Sequence, residues 1–126
     1  MYYYFTFNNK PTLEEYEEAL FYFPEAIITL HGWLRIMPPS ICEKFKIYNG
    51  HPGLITDYPE LKGKDPQERM FNDGNYTYYG SVVHKVVPEV DSGEIVSEVK
   101  RFNTMKSLDE VYEGLKSTSL SAWIDF

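Results

Sequence analysis

Setting aside 19 acidic residues, few side chains in this 126-residue chain could do chemistry: His31, His51, His84 and the single cysteine Cys42. The histidines show no short metal-ligand spacing, neither a pair three to five apart nor a Cys-x-x-Cys partner. No metal site and no cofactor are therefore expected. His31 and His84 fall in strand-like runs and read as half-buried, hydrogen-bonded residues. Cys42 follows Pro38-Pro39 and reads as a small buried hydrophobe. His51 differs, because it lies in Asn49-Gly50-His51-Pro52-Gly53, where backbone can approach a ligand closely. Lys62, Lys64 and Arg69 follow within the same breaker-rich stretch and could neutralise an anion. This combination describes a small-molecule or nucleotide-binding enzyme with its site in residues 49–75. The plainer reading of His51 is an exposed turn histidine. No phosphate loop, Gly-x-Ser-x-Gly elbow or His-Glu-x-x-His is present.

Tyrosines and acids offer a second kind of chemistry, that of recognition. There are 11 Tyr, 8 Phe and 2 Trp. Alternation places Tyr2 and Tyr4 on one face of a strand at 2–7, and Tyr76 with Tyr78 on one face of another. If these strands are neighbours they present an aromatic patch. Such a patch could bind protein or stack single-stranded nucleic acid. The net charge of −7 argues against general nucleic-acid binding. All of the excess negative charge resides in residues 1–30 and 107–126. There Glu14, Glu15, Glu17, Glu18, Asp109, Glu110 and Glu113 would line the outside of two helices. An anionic surface of this kind could steer a basic partner into contact.

The elements that must position these groups are suggested by a near-repeat. Residues 7–20 and 102–115 align at a constant offset of 95, with Phe7/Phe102, Asn8/Asn103, Leu13/Leu108, Glu15/Glu110, Glu18/Glu113 and Leu20/Leu115 identical. Thr12…Glu15 and Ser107…Glu110 are helix-capping pairs. Leu13, Tyr16, Leu20 and Phe23 form an apolar stripe that Pro24 ends. Strands are expected at 2–7, 26–37, 76–87, 94–102 and 120–125, with a hairpin across residues 88–93. Residues 40–47 fit either helix or strand.

The order β-α-β, insert, β-β-α-β describes an α+β fold, a ferredoxin-like αβ plait. It is built from two β-α-β units, with a long irregular insert and an extra strand. One domain spans 1–126, divided into a first unit at 1–36, an insert at 37–75, and a hairpin with the second unit at 76–126. The chain has no evident signal or membrane-spanning run, and one cysteine forms no internal disulfide, so a cytoplasmic setting is expected. The leading expectation is a non-enzymatic macromolecule-binding protein, an inhibitor or accessory protein of viral or mobile-element type. It would engage a protein partner through the acidic helical face and the aromatic patch, with a homodimer also open.

Overall fold

A computed structural model describes residues 3–7, 10–31, 33 and 35–126. The first helix, α1 (Leu13–Leu20), begins at a complete capping box: Thr12 Oγ1 accepts from Glu15 N at 3.2 Å and Glu15 returns the bond to Thr12 N at 3.1 Å. A short strand β1 (Ile27–Leu30), a helix α2 (Pro39–Lys44) and a strand β2 (Lys46–His51) follow. β1 and β2 are parallel, so residues 31–45 form the crossover that a parallel pair requires. After β2 the chain runs through a 3-10 turn (Pro59–Leu61) and helix α3 (Pro66–Asp73). The expected hairpin is present as β3 (Tyr78–Lys85) and β4 (Ile95–Phe102), antiparallel from Tyr78↔Phe102 to His84↔Ile95 with an irregularity beside Val83 and His84. Helix α4 (Leu108–Asp125) closes the chain, capped by Ser107 Oγ on Glu110 N at 3.2 Å.

The sheet order is β1-β2-β3-β4, mixed, with one parallel and two antiparallel pairs. This is not a ferredoxin-like plait. Residues 3–7 form no strand, and residues 120–125 continue α4. The two helices also lie on opposite faces. On β2, Ile47, Asn49 and His51 alternate with Tyr48 and Gly50. Tyr16 of α1 packs in one core cluster with Ile47, Ile41, Cys42 and Met37. On the other face, Phe126 reaches Tyr48 at 4.8 Å and Trp123 of α4 lies against Gly50. A second cluster joins Val111 and Leu115 of α4 to Ile55, Leu61, Met70, Tyr76 and Val82.

The expected surfaces come apart accordingly. Glu14, Glu15, Glu17 and Glu18 are exposed on α1, across the sheet from the exposed Asp109 and Glu110 and the Glu113 of α4, so they do not form one acidic face. Tyr2 lies outside the described residues. Tyr4 is 87% exposed at the β1 end of the sheet, whereas Tyr76 is buried beneath it. Its hydroxyl donates toward Glu60 and Asp73, and burial together with these carboxylates pushes its pKa up to about 12. Tyr78 lies at the far end of the sheet, covered by Lys100 Nζ at 4.3 Å from its ring. No shared aromatic patch forms from Tyr4, Tyr76 and Tyr78. Among the described residues no helix is long and apolar enough to cross a membrane.

Candidate active site

Strand alternation brings His51 to the same face of β2 as Asn49, and the pairing Asn49↔His84 sets a second histidine beside them on β3. His51 is 5% and His84 3% exposed. The β3–β4 connection lays Asp91 between them. His51 Nδ1 stands 3.3 Å from Asp91 Oδ2, and His84 Nε2 stands 3.3 Å from Asp91 Oδ1 without aligning as a hydrogen bond. Asp91 adopts a left-handed φ of 52°, uncommon for a residue with a side chain. Its side chain is 10% exposed. Gly63 N donates to Asp91 Oδ2 at 2.7 Å.

Each imidazole spends its other nitrogen on a backbone carbonyl. His51 Nε2 donates to Leu61 O at 2.7 Å, and His84 Nδ1 to Lys85 O at 3.0 Å. Since a carbonyl only accepts, those nitrogens carry the protons in the neutral rings. His51 Nδ1 and His84 Nε2 are then lone pairs turned toward Asp91. Burial pushes the pKa of His51 below its ordinary value, outweighing the pull of Asp91 and the Leu61 carbonyl. Burial also pushes Asp91 upward, but His84, His51 and the Gly63 N–H together hold it below the usual carboxylate range. A histidine with a depressed pKa beside an ionised carboxylate is suited to taking and returning a proton near neutrality.

Asn49 completes the group. It is half-buried, and its side-chain amide has no hydrogen-bond partner among the described residues. The same face of β2 continues to Ile47, which lines a concavity of about 620 Å³ with Tyr16, Leu20, Leu30, Trp33 and Met37.

Of the residues expected in the 49–75 site, His51 is central but buried, not an exposed turn residue. Lys62 and Lys64 are exposed. Arg69 does not present its guanidinium to an anion, because four of its five N–H groups bond to the carbonyls of Glu60, Leu61, Lys62 and Lys64. His84 is fully buried, and His31 rests on Trp123 with ring centres 4.9 Å apart. Cys42 is buried as expected, and burial raises its pKa. No group of three His, Cys, Asp or Glu among the described residues could hold a metal ion. Asn49 and Asp91 were hidden in sequence by their turn-forming surroundings. The available signal for Asp91 was its distance of seven residues from His84 across a hairpin, which returns it toward that strand.

A buried His–Asp pair at the end of a strand, beside an amide that meets no partner among the described residues, is the candidate active site. The family model described as formyl transferase matches residues 7–123, so the chain belongs to the formyl transferase family. A phosphoribosylglycinamide formyltransferase of Dictyostelium discoideum is 32% identical over 108 residues, covering 75% of this chain and 51% of that protein. One from Haemophilus influenzae is 36% identical over 76 residues, covering 59% of this chain and 34% of that protein. The chain thus spans about half the length of the Dictyostelium relative. Among solved structures, a phosphoribosylglycinamide formyltransferase of Campylobacter jejuni superposes with a TM-score of 0.71 at 24% identity, over 82% of this chain and 53% of that one. One from Bacillus halodurans gives 0.72 at 21%, over 90% and 60%. The fold is therefore that of the formyltransferases, a Rossmann-like mixed sheet with a parallel β1–β2 pair. The expectation of a non-enzymatic inhibitor or viral accessory protein is overturned by the family match. The alternative, an enzyme with a small-molecule site, is the reading these relatives favour.

Proposed function

We propose that this chain carries the proton-transfer half of a formyltransferase site, moving a formyl group from an N-formyl donor to the amine of a glycinamide ribonucleotide-type acceptor. The observation that carries this reading is the buried His51–Asp91 pair beside the Asn49 amide, which has no partner among the described residues. The acceptor class follows the names of the curated relatives.

In this reaction the acceptor amine attacks the formyl carbon, and the carbonyl oxygen gains negative charge in a tetrahedral intermediate. The C–N bond to the donor then breaks, the donor nitrogen leaves with a proton, and the attacking nitrogen loses one. Asn49 is placed to donate its amide N–H to the developing oxyanion. His51, whose Nε2 is held by Leu61 O, takes and returns the proton at Nδ1 beside Asp91 Oδ2, and Asp91 stabilises the imidazolium while it exists. The carboxylate is held ionised for that role by its three partners. A cytoplasmic setting belongs to the same reading, supported by the free buried thiol of Cys42.

The test is transfer of a labelled formyl group to phosphoribosylglycinamide. His51→Ala is expected to lower kcat by about 10²–10⁴, the usual worth of a positioned acid–base group. Asp91→Asn should also lower kcat, with a smaller change in KM. Undiminished turnover in His51→Ala would remove this assignment.

A further inference from the structure

Two backbone groups of one short loop touch the reacting pair: the carbonyl of Leu61 accepts from His51, and the amide of Gly63 donates to Asp91. Leu61 is the last residue of the 3-10 turn, its N–H bonded to Tyr58 O at 2.9 Å, and beyond it the loop is not held by regular structure. It follows the 3-10 turn and runs through Gly63 at φ +90° to Asp65 at φ 52°, two left-handed conformations within three residues. Non-glycine backbone in this region persists only where surroundings impose it. The Leu61 side chain is buried, and Lys62 N–H, in the same peptide plane as the Leu61 carbonyl, bonds to Pro59 O at 3.2 Å.

The same carbonyl is held by Arg69. Its Nη2 donates to Leu61 O at 3.3 Å and to Lys62 O at 2.8 Å, its Nε to Lys64 O at 2.9 Å, and its Nη1 to Glu60 O. One planar fork thus gathers four carbonyls from residues 60–64, including the one that receives His51 Nε2. Arg69 itself is anchored. It lies on α3, whose next residue, Met70, is 3% exposed in the core, and its own amide bonds to Asp65 O at 3.2 Å. The connection runs from the core through α3 to the guanidinium, then to the loop, then to His51 and Asp91. A lysine carries the same charge but lacks the rigid fork that such an arrangement needs.

We propose that Arg69 is a positioning residue of the active site: by gathering the carbonyls of residues 60–64 it aims Leu61 O at His51 and Gly63 N–H at Asp91, fixing the tautomer of the imidazole and the seat of the carboxylate. The inference rests on the His51–Asp91 pair being the reacting group, but its test does not require turnover.

The full chain, free of substrate, is labelled with ¹⁵N, and the imidazole nitrogens of His51 are read by NMR together with hydrogen exchange at the Gly63 amide. The unaltered protein is expected to show neutral His51 with its proton on Nε2 alone, and a protected Gly63 amide. In Arg69→Gln the single tautomer should give way to a mixture, and Gly63 should exchange about tenfold faster or more. Arg69→Lys should behave like the glutamine variant. If Arg69→Gln does not fold, the lysine variant carries the test alone. Unaltered tautomer and protection in the folded variants would overturn the proposal, as would full restoration by lysine, which would assign the effect to charge. Because both readouts come from the free protein, a failed formyl-transfer assay would count against the reaction proposed above and not against Arg69.

Discussion

His51 and Asp91 stand 3.3 Å apart in a buried site, and the pull of each on the other sets how that pair responds to pH. The native pKa of His51 lies below its ordinary 6.5, with burial the largest cause and Asp91 pulling the other way. Asp91→Asn removes that pull, so an NMR titration should show the His51 midpoint below 6.5 in the unaltered protein and lower still in the variant. Stability follows with a definite sign. Below about pH 6.5 the unfolded chain binds a proton at residue 51 that the native site resists. This contribution is complete above pH 6.5 and is lost as pH falls toward the native value. Denaturant midpoints should therefore decline on acidification from neutrality, and His51→Gln should flatten that decline; an equally steep decline in the variant would contradict the shift. Asp91 acts in a separate window, since its depressed pKa gives stability above its ordinary 3.8 that is lost as pH falls further.

At the scale of elements, the strand bearing the site is held from behind. Gly50 separates Asn49 from His51, and a Cβ there would lie 2.8 Å from Trp123 Nε1 and 3.2 Å from Cε2. Gly50→Ala must displace either the strand or the indole, at a cost of about 1–3 kcal/mol. Trp123→Leu opens that space. The double variant should then lose less stability than the two single losses combined, with a coupling of about 0.5–3 kcal/mol in a denaturation cycle; strict additivity would show that the indole does not seat β2. The same elements show what was legible in the sequence. Thr12…Glu15 and Ser107…Glu110 marked both helix starts, because capping is local chemistry. The hairpin was legible from strand formers flanking a turn-rich run. Residues 3–7 were misread because aromatic content suits a strand, while strand formation needs a partner that composition does not report. Residues 120–125 were misread for a related reason: Trp123 and Ile124 favour strands, yet no proline and no glycine after Gly114 interrupts α4 before the chain ends. Of the candidate site, one residue was legible. His51 stood out among glycines and prolines, while Asn49 and Asp91 acquire meaning only when β2, β3 and the hairpin connection meet.

At the scale of the whole molecule, the net charge of −7 is distributed over two helices separated by the sheet, so its first consequence is self-repulsion rather than the capture of a partner. Within α1, Glu14 and Glu18 are like charges four residues apart, and the last turn contains no basic residue to meet the negative end of the helix dipole. Glu18→Lys turns this pair into a Glu-to-Lys i,i+4 pair in its favourable order and brings positive charge toward the helix C-terminus. Each change contributes a few tenths of a kcal/mol, so the variant should gain about 0.5–1 kcal/mol in denaturation at low salt. The gain should shrink in high salt, because both effects act between exposed groups and are screened. If formyl transfer is the activity, this substitution should leave it unchanged, since Glu18 is exposed and belongs to neither the His51–Asp91 pair nor its loop. A loss of stability in Glu18→Lys would show instead that Glu18 makes a favourable contact within the fold that outweighs the repulsion from Glu14.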